Sequence, residues 1–220
     1  MSDYPLVCKD NFLLNPHKIV ELANEVDYFP TNGSWPGKRS NHLSKINENF
    51  FIQLSRQILR NYYSFFTHYC DLDIWFQKIK PYHEDKYDLK NRGWVHKDDC
   101  LFGGIIYLDE EEEEDTGTSM YDLDNLFFDY PKSFDDTKER LYLNDSTLSD
   151  DEYYYCYEKY HSQFKETIRI NNKFNRLCSF SGNQFHALQT IGSKERLTMV
   201  FFMKHLVIDG LELYHSRRIF

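Results

Sequence analysis

Helical periodicity is confined to the first 70 residues of this chain. After it come short runs of bulky side chains, broken at close intervals by Gly, Pro, Asn and Asp. A chain with that division cannot build an alternating parallel sheet; helices first and many short strands later predict an α+β fold. Asn15-Pro16 reads as an N-cap followed by proline at the first helical position. Ile19, Leu22, Ala23 and Val26 then recur at helical spacing, which predicts a helix to about Asp27. Thr31 to Arg39 carries the turn residues of a loop, and Trp35-Pro36-Gly37-Lys38-Arg39 within it reads as an ordered loop or as part of a lid. A longer helix is expected from about Ser44 to Tyr69, with Ile46, Phe50, Leu54, Ile58 and Phe65 as its buried stripe.

From Asp73 the pattern is that of strands: Asp73 to Tyr82, Leu101 to Leu108, Gly117 to Tyr121, Thr167 to Ile170, Arg176 to Phe180, Phe185 to Leu188 and Arg196 to Met203. Residues 122–165 are polar and Tyr-rich and read as an insertion, with a helix starting at the capping-box pattern Ser149-Asp-Asp-Glu152. The expected architecture is a β-sandwich or barrel with helices on one outer face. At 220 residues the chain reads as one domain, with residues 1–70 mainly helical support and 71–210 the β core.

Charge narrows the function classes. The formal net charge is -9, and seven negative charges sit in the single run Asp109 to Asp115, expected to be a solvated loop or a lure for a basic peptide. No dense Lys/Arg block exists, which disfavours nucleic acid as a partner. No apolar run approaches the length of a membrane span and no signal peptide is recognisable. The five cysteines are odd in number and form no CxxC pair, as expected of free thiols in a reducing cytoplasm. Low Gly and Pro with abundant Asn, Lys, Asp and Tyr suggests an AT-rich, viral genome.

In extended backbone, residues i and i+2 share a face, so His96 and Asp98 of Trp94-Val-His-Lys-Asp98 project together. An imidazole and a carboxylate on one face make two-thirds of a 2-His-1-carboxylate metal site, although such a pair also serves as a plain surface ion pair. Asp99 could replace Asp98 only across a bulge. His186 lies between Phe185 and Ala187, a setting that also suits a core histidine. Ten residues on, Arg196 and Thr198 point to one face. A guanidinium grips a carboxylate through two parallel hydrogen bonds and a neighbouring hydroxyl can add a third, though Arg196 could equally pair with one of the chain's own acids. His83-Glu84 opens no zinc helix, because position 87 is Tyr, and nucleotide-binding glycine loops are absent. The cluster Tyr153 to Tyr157 reads as packing within the insertion or, as the lesser reading, as the wall of a substrate groove.

The order His-x-Asp, distal His, then Arg-x-Thr resembles the iron(II)/2-oxoglutarate-dependent oxygenase superfamily over roughly residues 75–205. The stretch Gly103-Gly104, Tyr107-Leu108 and Gly117 to Tyr121 is similar to the strand pair of its prolyl-hydroxylase-like and phage-encoded members. The resemblance implies a double-stranded β-helix (jelly-roll) core with the N-terminal helices packed on one face. It implies iron(II) on His96, Asp98 and His186, and 2-oxoglutarate with its C5 carboxylate on Arg196, assisted by Thr198. Arg196 departs from the lysine usual in prolyl 4-hydroxylases. Asp98 sets the chain apart from related halogenases, which lose that carboxylate. The implied reaction is hydroxylation of a peptide, prolyl peptides first, or of a small molecule. The alternative is a non-catalytic jelly-roll module that binds metal or another protein.

Overall fold

The computed structural model describes residues 4–63, 69–124, 131–208 and 211–214. Eleven strands and five helices follow one another in this order: β1 (Val7–Lys9), α1 (Pro16–Glu25), β2 (Tyr28–Pro30), β3 (Lys38–Ser40), α2 (Leu43–Ile46), α3 (Glu48–Leu59), β4 (Tyr69–Ile79), β5 (Phe102–Tyr107), β6 (Thr118–Leu123), α4 (Lys132–Tyr142), α5 (Asp150–His161), β7 (Phe164–Ile170), β8 (Leu177–Ser181), β9 (Phe185–Leu188), β10 (Arg196–Ile208) and β11 (Leu211–Tyr214). The larger sheet runs β1-β8-β5-β10-β4-β3-β2, with β11 pairing the far end of β10; the smaller runs β7-β6-β9. All pairings are antiparallel, as a jelly roll requires.

β10 shows how alternation positions everything else. Leu197, Met199, Phe201 and Met203 bury against Ala23, Leu43, Leu54, Ile58 and Leu59, which places α1 to α3 on one outer face of the larger sheet. Each such apolar side chain contributes roughly 1.5–3 kcal/mol when fully buried. Arg196, Thr198, Val200 and Phe202 alternate to the opposite, inner face. There Tyr107, Cys178 and Phe180 of the larger sheet meet Met120 and Ile170 of the smaller one.

Most expected strands are present, and the departures have local causes. The helix expected over Ser44 to Tyr69 is two helices: Asn47, at φ -152°, ends α2 and caps α3 through its side chain on Phe50 N, 3.0 Å away. α3 stops at Leu59, and Tyr69 already belongs to β4; Phe65 lies outside the described residues. Lys38 and Arg39, expected in a loop, form β3 against β4. β5 and β6, read as neighbours across the acidic run, belong to different sheets, so that run crosses from one to the other. Ser149 caps α5 as expected, accepting from Glu152 N, while the Glu152 carboxylate pairs with Arg140. Helix α4 and strands β1, β2 and β11 were not foreseen: the strands are only three or four residues long, and α4, though Phe134, Thr137, Leu141 and Tyr142 recur on one face, is polar overall.

Among the described residues no helix is long and apolar enough to cross a membrane. All five cysteines are free.

Candidate metal centre and an unpaired buried arginine

His96 and His186 stand opposite each other in an isolated antiparallel bridge, each backbone N–H donating to the other's carbonyl at 3.0 Å. Asp98 N donates to Gly182 O at 3.0 Å, which ties the next turn of the same segment to the loop ahead of β9. Backbone pairing therefore brings the three side chains together: one potential ligand atom from each of His96, Asp98 and His186 lies within 4.8 Å of the others. The Asp98 carboxylate sits between the two rings, 3.7 Å from His96 Nε2 and 3.4 Å from His186 Nε2. Asp98, rather than Asp99, supplies the carboxylate.

Both imidazoles are oriented from behind. His96 Nδ1 lies 2.8 Å from Trp94 O and His186 Nδ1 lies 3.0 Å from Gln184 O. A carbonyl only accepts, so each Nδ1 carries the proton and each Nε2 presents its lone pair toward Asp98. Burial, and then the neighbouring His96, push the His186 pKa down to about 4, which keeps that ring neutral and able to bind a cation. His186 packs on Phe180 and is 8% exposed, whereas His96 is 49% exposed, so the cluster opens to solvent on the His96 side.

The Tyr-rich insertion braces this strand from outside. Trp94 is enclosed by Phe134, Tyr153, Tyr157 and Tyr160, and Trp94 Nε1 donates to Tyr153 Oη at 3.1 Å. Tyr157 Oη donates to Gly93 O and Tyr160 Oη to Val95 O, gripping the chain just before His96. The cluster is thus packing, as its composition suggested, and that packing fixes the entry to the site.

Arg196 lies at the far end of the inner face. It is 4% exposed, its guanidinium carbon is 5.4 Å from the Tyr107 ring centre, and burial lowers its pKa. Its Nε and Nη2 are enclosed without a hydrogen-bond partner. Leaving charged donors unsatisfied in a protein interior is costly, so the arrangement fits a missing anion. Thr198, 1% exposed, stands in register with Tyr107 on the same face. The chain's own nearest acid does not fill the role: Asp109 accepts from Leu197 N at 2.7 Å and no ion pair joins it to Arg196.

The acidic run is an exposed loop, as expected, and it is also tied to the fold by ion pairs. Glu110 pairs with His17, Glu111 with Lys194, Glu113 with Lys86 and Asp115 with Arg169, while Glu113 also accepts from Ser193 N. It rims a recess of about 590 Å³ that reaches Arg196 and Leu197.

Beside the cluster lies Arg39, which in sequence reads only as part of a loop or lid. The Arg39 guanidinium stands over Trp35, Trp75 and Phe202, at 4.5, 5.3 and 5.5 Å, and the Asp98 and Asp73 carboxylates both act on it. Lone basic residues in loop-like sequence give no signal of this kind; only the pairing of β3 with β4 brings Arg39 to the inner face.

Solved structures share this antiparallel jelly-roll fold. HygX from Streptomyces hygroscopicus, with nickel and 2-oxoglutarate bound, matches with a TM-score of 0.53 at 10% identity, covering 89% of this chain and 81% of that one. The same protein with nickel, 2-oxoglutarate and hygromycin B gives 0.52 at 9% identity, over the same shares. A Pseudomonas putida prolyl-4-hydroxylase gives 0.49 at 13% identity, covering 90% and 91%. At such identities the likeness establishes the fold. In sequence the chain belongs to a family of unknown function (DUF6445), matched over residues 1–203. No curated protein matches it.

Proposed function

We propose that this chain is an iron(II)- and 2-oxoglutarate-dependent oxygenase that hydroxylates a peptide or a small molecule. One observation carries the reading: two imidazoles with free Nε2 atoms converge on Asp98, in a barrel that also buries the unsatisfied guanidinium of Arg196. Two histidines and one carboxylate are the donor set of non-haem iron oxygenases. HygX, which shares the fold, has been solved with nickel and 2-oxoglutarate, a precedent for a divalent metal beside 2-oxoglutarate in such a barrel.

In this reading His96, Asp98 and His186 hold iron(II), and Arg196 receives the C5 carboxylate of 2-oxoglutarate with Thr198 beside it. When bound, the pair would supply the oxidation: O2 would give one oxygen atom to 2-oxoglutarate, which leaves as succinate and CO2, and the other to the substrate C–H as a hydroxyl. The protein's part is orientation. The Trp94 and Gln184 carbonyls keep each Nδ1 protonated and each Nε2 aimed, and the α5 tyrosines hold the His96 strand still. The half-exposed His96 edge is where a substrate approaches. A basic peptide has lost its electrostatic argument, since the acidic run is largely engaged by the chain's own cations.

The test is an anaerobic titration with iron(II) and 2-oxoglutarate, followed by the weak visible charge-transfer band of the chelated complex. The expected result is a band whose midpoint shifts to higher cosubstrate concentration in Arg196→Ala. Iron binding without a band would make the chain a metal-binding module; no binding of either would reduce the cluster to a surface ion pair.

A further inference from the structure

Arg39 has no task in the chemistry above, and its surroundings are unusual for a structural arginine. Its only described hydrogen bond is a long one, Nε to Gln77 Oε1 at 3.4 Å. The two acids that act on it are committed elsewhere: Asp73 lies 3.8 Å from His42, and Asp98 sits between the two histidines. Among the described residues no carboxylate stands within ion-pair distance of either Nη group. The guanidinium is instead enclosed by Trp35, Trp75 and Phe202, three part-exposed rings, with its charge against their faces.

Strand register sets where this charge lies. Arg39 pairs with Gln77 and Gln77 with Thr198, while Trp75 faces Val200 and Asp73 faces Phe202. Arg39 thus leans along β4 toward the Phe202 end of the inner face, the end on which Asp98 acts. Arg196 leans over Tyr107, which is level with Thr198. Four positions of β10 separate Thr198 from Phe202, about 13 Å of extended chain. The inner face therefore offers two separate guanidiniums, one deep and enclosed, the other at the mouth beside the metal-ligand cluster.

We infer that Arg39, walled by Trp35, Trp75 and Phe202, is a substrate subsite that takes a carboxylate attached to an apolar body. As a substrate site it rests on the oxygenase reading. A planar fork with neither Nη group in an ion pair among the described residues matches a carboxylate in two-point contact, and the flanking rings cover the apolar carbon next to it. The carboxylate would fix how deep the substrate sits, so that its reactive C–H faces the His96–Asp98–His186 cluster instead of sliding past it.

The probe is benzoate, with benzamide as its neutral isostere, added to the full chain held anaerobically with iron(II) and saturating 2-oxoglutarate so that Arg196 is occupied. Trp35 and Trp75 report binding by their fluorescence. The expected result is saturable quenching by benzoate and none by benzamide. Losing a charge-assisted bidentate contact should raise the benzoate dissociation constant about tenfold or more in Arg39→Leu, with Arg39→Lys between the two. The cosubstrate band should form at an unchanged midpoint in both variants, which also shows that they fold. The inference is overturned if benzoate does not saturate, if benzamide binds equally, or if Arg39→Leu leaves benzoate binding intact. It is also overturned if the variant shifts the cosubstrate midpoint, since Arg39 would then hold 2-oxoglutarate. If the wild-type chain forms no band yet loses benzoate binding in Arg39→Leu, the oxygenase reading fails and the carboxylate site stands.

Discussion

Arg196 is the residue whose energetics are easiest to turn against its function. At 4% exposure, with Nε and Nη2 enclosed without a hydrogen-bond partner, the Arg196 guanidinium is a cost to the free protein that a bound anion would offset. Arg196→Met should therefore raise the stability of the cofactor-free chain by roughly 1–3 kcal/mol in urea unfolding, while cosubstrate binding is lost. A destabilised Met variant would mean that Arg196 is satisfied within the fold and is not waiting for an anion. His161 makes a second prediction. It stacks on Tyr157 at 3.9 Å, its Nε2 is enclosed without a partner, and burial followed by Arg92 pushes its pKa down to about 3 from the ordinary 6.5. Folding depresses this pKa, so its contribution is complete above pH 6.5 and is lost as the pH falls from there toward 3. Melting temperatures of the metal-free chain should fall through that window, and less steeply in His161→Phe; equal slopes would show that His161 is not the group being protonated.

At the scale of elements, the site depends on two segments lying closer than side chains allow. A Cβ on Gly182 would stand 2.0 Å from Cys100 O and 2.8 Å from Asp98 O. Neither contact can relax without moving the backbone that carries Asp98. Gly182→Ala should therefore lower thermal stability and also weaken iron(II) binding, about tenfold or more on the scale of disturbed ligand orientation. Loss of stability with unchanged metal affinity would show that the ligand strand shifts as a unit. This contact was not legible in advance: Gly182 reads as an ordinary turn glycine, and its neighbour Cys100 is eighty-two positions away. His96 and Asp98 were legible because period-two alternation alone puts them on one face. His186 and Arg196 needed the resemblance to a family, since a histidine between Phe and Ala reads equally well as core. Arg39 reads only as part of a loop or lid because β3 is only three residues long and polar, and its side chain gains meaning only through pairing with β4.

For the molecule as a whole, the α+β class with helices on one face carried over, because amphipathic faces demand a partner and the sheet's outer face is the one available; yet β1 to β3 precede residue 41 and α4 and α5 follow residue 131. The run Asp109 to Asp115 is an exposed loop, as its sequence suggests, but it is also pinned to the fold. Cations from α1, the loop between β4 and β5, β7 and the β9–β10 turn converge on it from distant points of the chain. Glu113→Gln with Asp115→Asn should lower the melting temperature at low ionic strength. The difference should shrink in about 1 M salt, where the screening length falls to about 3 Å. A difference independent of salt would assign the effect to hydrogen bonding, such as that of Glu113 with Ser193.

That acidic clasp also gives the barrel a blind end. Arg196 can be approached from two sides, but the recess behind it is rimmed by Glu110, Glu111, Glu112 and Glu113, a poor route for a dianion. Under the oxygenase reading, 2-oxoglutarate and succinate would pass through the mouth at His96, and the barrel would work as a cul-de-sac. Whatever enters first lies deepest, a later arrival parks in front of it, and departure must run in the reverse order.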